Sequence, residues 1–461
     1  MKFPRRQVSR LSTALACAVV WLAVTAGTAL AHGGSLGASS RQTVTVPTWL
    51  VLLTGGAAVG ASFLLASLVT DRRLIEDVDE WRRLLPANGL TARLPVIVVR
   101  ALGVVLLAVT VAVCFLGPQA PLANLGLLVV WVGWWAGFTM STYLLGNTWP
   151  SLNPWRSLAG VLPSLDFAYP NRLGLWPAAV ALLVLIWVEV VSPIADAPDV
   201  LGLTILAYTV LTLAGAVVFG ADEWFGRADP VSRVFFYYGH VAPVQRDGDG
   251  LAVRLPGSGL TTLAVDTRSE VGFVVALLWG TTFDGFVSTP AWRTIVDALT
   301  PAVPLAVLYP LALAGGFAFF LSAYDAATRA SKRLSGTYVT RGTLARQFAP
   351  SLLAIAAGYH LAHYLGYFIS LSPALATVAA APLNPPIEVP LLSLPGWFET
   401  VGMAAILVGH VLAIWVAHTT AYDIFPSRMQ AIRSQYPYIA VMVFYTMTSL
   451  WIIAQPEVAP P

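Results

Sequence analysis

Long uninterrupted runs of apolar residues, separated by segments that hold nearly all the charge, recur ten times along this chain. The runs cover 47–69, 95–117, 124–146, 174–191, 201–220, 271–288, 303–326, 347–370, 397–419 and 437–455. Each is close to the ~20 residues a helix needs to cross the hydrocarbon core of a bilayer. Lipid offers no partner to backbone N–H and C=O groups, so an isolated crossing segment must satisfy them internally, as a helix does. The pattern predicts an all-α, polytopic membrane protein with about ten transmembrane helices occupying 47–455.

An eleventh apolar run, at the N-terminus, has a different character. Lys2, Arg5, Arg6 and Arg10 precede an apolar stretch from Leu11 to Ala26, and Ala29-Leu30-Ala31 follows. A basic region, a short apolar core and an A-x-A site make up an export signal. Residues 1–31 are therefore expected to be a cleaved signal peptide, which leaves His32 as the mature N-terminus, 32–46 as an extracytoplasmic segment and 456–461 as an extracytoplasmic tail.

Charge in the connecting segments sets the expected orientation. With residue 32 outside, the cytoplasmic segments are 71–94, 147–173, 221–270, 327–346 and 420–436. They carry nineteen Lys and Arg, against Arg41 and Arg293 outside, as the positive-inside bias requires. The expected location is the cell membrane, multi-pass, with both termini extracytoplasmic. Segment 71–94 alternates charged and apolar residues and predicts an amphipathic interfacial helix. The cytoplasmic insertion 221–270 contains Asp247-Gly248-Asp249-Gly250 before Leu251-Ala252-Val253-Arg254, which predicts a turn and short strands, with 260–266 as a returning strand.

Composition agrees. Hydrophobic residues make up 57% of the chain and charged residues 11%, with a mean hydropathy of +0.73, whereas soluble domains carry about 25% charge. The partner implied is the lipid bilayer. The net charge of +3 follows from topology and does not indicate nucleic acid. Cys17 lies in the signal-like run and Cys114 is the other cysteine, so the mature chain has no internal disulfide.

Against this apolar background the ionisable residues inside the spans are conspicuous, because polar groups at that depth are costly and mark functional sites. Tyr359-His360-Leu361-Ala362-His363-Tyr364 lies within the eighth span, and His410 is midway along the ninth. His360 and His363 are three residues apart, so both can face one interior site. Three neutral imidazoles at similar depth could hold zinc or copper. One from each helix could instead ligate haem; proton handling, and purely structural hydrogen bonds to Tyr359, Tyr364 or Tyr367, are the other readings. Asp284, in Thr281-Thr282-Phe283-Asp284-Gly285-Phe286, is a candidate general base or orienting carboxylate. Glu189, Tyr359 and Tyr364 are candidate supporting groups. His32 is a candidate additional ligand, since fifteen residues separate it from the first span and an N-terminal histidine chelates through both amine and imidazole. His418 is expected to anchor the end of its helix, and His240 to be a loop histidine. Gly56/Gly60 and Gly133/Gly137 are small-xxx-small packing faces.

Taken together, the His360/His363 block, Gly409-His410-Val411 with Ala417-His418, the Asp284 block, Asn153-Pro154-Trp155-Arg156 and the His32-Gly33 opening resemble a bacterial integral-membrane family commonly labelled fenitrothion hydrolase. The resemblance covers most of the chain after the signal. It implies hydrolysis of an organophosphate-like triester, with His360, His363 and His410 holding a metal that activates water and Asp284 orienting a ligand or accepting the proton. The chain departs from the family pattern at His418-Thr419, where His-Asp is expected. Alternatives from other classes are a metal or small-solute transporter and a haem-binding electron-transfer subunit of a larger assembly. The partners to be expected are accordingly a small-molecule substrate or ion and, for the last reading, a partner subunit.

Overall fold

The structure is a computed structural model that describes residues 48–85, 96–247 and 250–456. The signal peptide, the 32–46 segment with His32, and most of the C-terminal tail lie outside the described residues. Twelve helices carry the fold: α1 (Thr48–Leu68), α2 (Arg72–Asp79), α3 (Val96–Leu116), α4 (Leu125–Leu144), α5 (Trp176–Val191), α6 (Pro198–Phe219), α7 (Pro230–Gly239), α8 (Arg268–Val287), α9 (Leu305–Ser335), α10 (Ser351–Ala380), α11 (Phe398–Ile424) and α12 (Arg428–Ile453). The chain is all-α and polytopic. Among the described residues nine helices are long and apolar enough to cross a membrane, and α5 is the shorter tenth apolar helix. The run 174–191 thus gives 16 helical residues, about 24 Å at 1.5 Å per residue. Its end is fixed by Pro193, which forces Ser192 out of the helical region to φ −102°, ψ 157°.

The helix at the centre of the bundle is α8. It is buried along most of its length and packs against α5, α9 and α10. Its start is secured by a capping box, in which the Thr267 hydroxyl accepts from the Glu270 N–H and the Glu270 carboxylate accepts from the Thr267 N–H at 2.8 Å. The indole of Trp279 donates to the Leu313 carbonyl at 2.8 Å and ties α8 to α9.

Helices α10 and α11 cross at Gly358 and Gly409. A Cβ on Gly358 would lie 2.7 Å from the Ala405 carbonyl oxygen and 3.0 Å from the Gly409 Cα; a Cβ on Gly409 would lie 2.7 Å from the Ala354 carbonyl oxygen. Backbones this close leave no room for a side chain. The glycine pairs singled out in the sequence behave unevenly: Gly137 packs against Phe368, but a Cβ on Gly60 would meet nothing within 4 Å.

At one end of the bundle three short strands form an antiparallel sheet, β1 (Arg82–Leu84), β2 (Val244–Asp247) and β3 (Gly250–Arg254), in the order β1-β3-β2. The β2–β3 pair falls where the Asp-Gly repeat predicts strands. The third strand does not come from 260–266. Leu260, Leu263 and Val265 are instead buried in the main core, and the 71–94 segment supplies the partner after the eight-residue α2. Arg82 and Arg254 face each other across the ladder, a repulsive pairing that Asp247 offsets by contacting Arg82 at 2.9 Å and Arg254 at 3.5 Å. Arg72, at the start of α2, donates to the carbonyls of Tyr422 at 2.8 Å and Pro426 at 3.0 Å, satisfying the end of α11.

Candidate functional site

Polar side chains from α4, α8 and α10 meet in the half of the bundle distant from the sheet. Tyr364 of α10 donates its hydroxyl to Asp284 Oδ2 of α8 at 2.9 Å and accepts from the Trp135 indole of α4 at 2.9 Å. His363 Nε2 approaches the same Asp284 oxygen at 3.4 Å, a charge contact somewhat longer than an N–H···O hydrogen bond. One carboxylate oxygen therefore collects a phenol and an imidazole from adjacent positions on one helix. Asp284 can accept the Nε2 proton, which leaves Nδ1 of His363 as the basic nitrogen. Nδ1 has no hydrogen-bond partner among the described residues, and the His363 side chain keeps 16% exposure, so this nitrogen is unengaged within the protein. Glu189 of α5 is half-buried nearby and interacts electrostatically with Asp284.

Local sequence explains how these groups come to face each other. Residues 363 and 364 are about 100° apart on a helix, enough for both to reach Asp284 from α10. Trp135 belongs to the Leu128–Phe138 stretch of α4, which is wound as a π-helix, a rare geometry associated with functional sites. The ring of His363 lies parallel to that of Tyr359, with centroids 6.3 Å apart.

His360, His363 and His410 are not drawn together. Gly358 faces α11, and His360, two residues on, points about 200° away from it around α10. Its ring lies among Trp135, Tyr143, Tyr238 and Tyr364, with the Tyr143 hydroxyl 3.0 Å from Nδ1. His410 bonds through Nδ1 to the carbonyl of Ile406 in its own helix at 2.8 Å. Both histidines are buried, and each keeps an Nε2 without a partner. Among the described residues no group of three or more His, Cys, Asp and Glu side chains converges to hold a metal ion. The three-histidine set implied by the family resemblance thus does not fit a shared zinc or copper ion.

His418 is tied at both nitrogens, to Gln435 Oε1 at 3.2 Å and to the Val69 carbonyl at 2.9 Å. It links α11 to α12 and to the end of α1, as a helix anchor should. His240 caps α7 and bonds the Phe236 carbonyl at 2.8 Å. Sequence reasoning missed Trp135, Tyr143 and Tyr238; aromatic residues are common in apolar runs, and nothing in their spacing marks them out.

A scan of the protein-family models and searches of the curated proteins and the solved structures returned no match.

Proposed function

We propose that this chain is an integral-membrane hydrolase in which His363 activates water with Asp284 as its orienting carboxylate. The observation that carries the reading is the shared contact of His363 and Tyr364 with one Asp284 oxygen. An imidazole held by a carboxylate at one nitrogen and open at the other is the arrangement a general base needs. His363 Nδ1 takes a proton from water, the hydroxide attacks an electrophilic centre, and the leaving group departs with its bonding electrons and takes up the proton from the imidazolium. For an organophosphate-like triester, the substrate class implied by the resemblance, the products are a diester and an alcohol or phenol. Asp284 stabilises the imidazolium, and Tyr364, itself braced by the Trp135 indole, holds Asp284 in place. The reading places the sheet-bearing end of the bundle in the cytoplasm, on the nineteen-to-two distribution of Lys and Arg, and this puts the site in the extracytoplasmic half.

The test is release of a chromogenic phenol from an aryl phosphotriester by the purified protein in detergent. The expected result is turnover above the detergent blank that falls by about 10²–10⁴-fold in His363→Ala and Asp284→Asn, the range for loss of a general base. Absence of wild-type turnover, or full turnover in both folded variants, overturns the reading. Metal content measured on the same samples decides whether an ion takes part.

A further inference from the structure

A second feature adjoins the candidate site, sharing Trp135 with it, but calls for different chemistry. Helices α3 to α7 enclose a cavity of about 260 Å³. Its wall is almost entirely apolar, aliphatic residues alternating with the rings of Trp131, Trp134, Trp135, Trp149 and Trp155. The wall is braced from behind: the Trp155 indole donates to Thr209 at 2.8 Å, and Trp134 meets Phe235 edge to face at 5.6 Å. One carboxylate, Glu189, opens onto this space.

Glu189 is unusual in what surrounds it. Among the described residues no Lys, Arg or His pairs with it, no hydrogen bond reaches it, and the ionisable side chains that interact with it electrostatically are Asp284, Tyr364 and Tyr367. A carboxylate withdrawn from water without a cation is costly, and a neighbouring carboxylate adds to the cost. Aromatic faces attract a cation within about 6 Å of the ring, and an apolar wall favours a hydrocarbon body. A ligand that satisfies all three conditions is positively charged and hydrophobic. At about 30 Å³ for each water-sized group, the space takes roughly nine non-hydrogen groups.

We propose that the cavity binds a small hydrophobic ammonium ion, substituted or quaternary, with its charged head at Glu189 and its body among the tryptophans. Occupancy supplies Glu189 with the counter-charge the protein lacks. The proposal does not depend on hydrolysis at His363, and its test measures binding alone.

The probe is benzylammonium at neutral pH, small enough for the space and matched in size to its neutral counterpart, titrated into the full-length protein in an uncharged detergent and followed by tryptophan fluorescence and calorimetry. Benzyl alcohol serves as the neutral comparison. Saturable binding of the cation, at least about tenfold tighter than the alcohol and weakened by a similar factor in Glu189→Gln, is the expected result. If the alcohol binds as well as the cation to the wild-type protein, or no saturable binding of the cation occurs, the proposal fails. Equal affinity of folded Glu189→Gln and wild-type protein for the cation also overturns it. The wild-type comparison stands even if the variant does not fold.

Discussion

His360 and His363 lie one turn apart, yet one is enclosed by four aromatic rings while the other, partly exposed, reaches a carboxylate. Their difference follows from the helix: Gly358 fixes which side of α10 meets α11, and every later position inherits its direction from that contact. His360 therefore belongs to packing and His363 to the candidate site. Removing the hydroxyl in Tyr143→Phe strands Nδ1 of His360 in an apolar interior, at a cost of about 1–3 kcal/mol for a buried group left unpaired. The expected outcome is a thermal midpoint in detergent lower by several degrees, with turnover at His363 unchanged. An unchanged midpoint would mean that Nδ1 finds another partner. The sequence made the ionisable residues inside the spans easy to find, because polar side chains stand out against lipid. It did not show which of them share a site, since direction depends on which face of α10 each neighbouring helix covers, and spacing within one helix leaves that open. Trp135 and Tyr143 were hidden for the opposite reason: as aromatics in an apolar run they look like any other membrane-facing or core residue.

Among the elements, α10 and α11 form the most extensive contact, and two glycines make it possible. Gly409→Val adds a side chain where the first carbon already collides with the Ala354 carbonyl. Overpacking of this kind costs about 1–3 kcal/mol or more, so the variant should unfold at lower temperature than Gly60→Val, whose position is open. Equal midpoints for the two variants would show that α10 and α11 can separate without penalty. The glycine pairs chosen from sequence illustrate a limit of motif reading. A four-residue spacing shows that two small residues share a helix face, but not that another helix lies on it. Existence and type of the helices were legible because apolar runs of ~20 residues have few alternatives. The pairing of β1 with β3 was not, since Arg82–Leu84 carries no alternating apolar pattern and is held by the Asp247 charge contacts.

For the whole molecule, the charge distribution makes a sharp prediction about sidedness. Tyr338, between α9 and the following helix at the sheet-bearing end, and Ile387, in the segment after α10 at the opposite end, are both fully exposed. In intact cells an impermeant thiol reagent should label Ile387→Cys and spare Tyr338→Cys, and inverted vesicles should reverse the result. The opposite pattern would turn the proposed extracytoplasmic site into a cytoplasmic one. The small sheet carries a further consequence, for biosynthesis. Leu84 pairs with Ala252, so the first strand is made about 170 residues before its partner, with α3, α4, α5, α6 and α7 still to emerge. At 5–20 residues per second, that strand waits on the order of ten to thirty seconds with its hydrogen-bonding edge unclaimed. Closure of the sheet is thus a late event that fastens the first helices to the middle of the chain after they have entered the bilayer, and a ribosome stalled before residue 250 would leave the early helices inserted but unclasped.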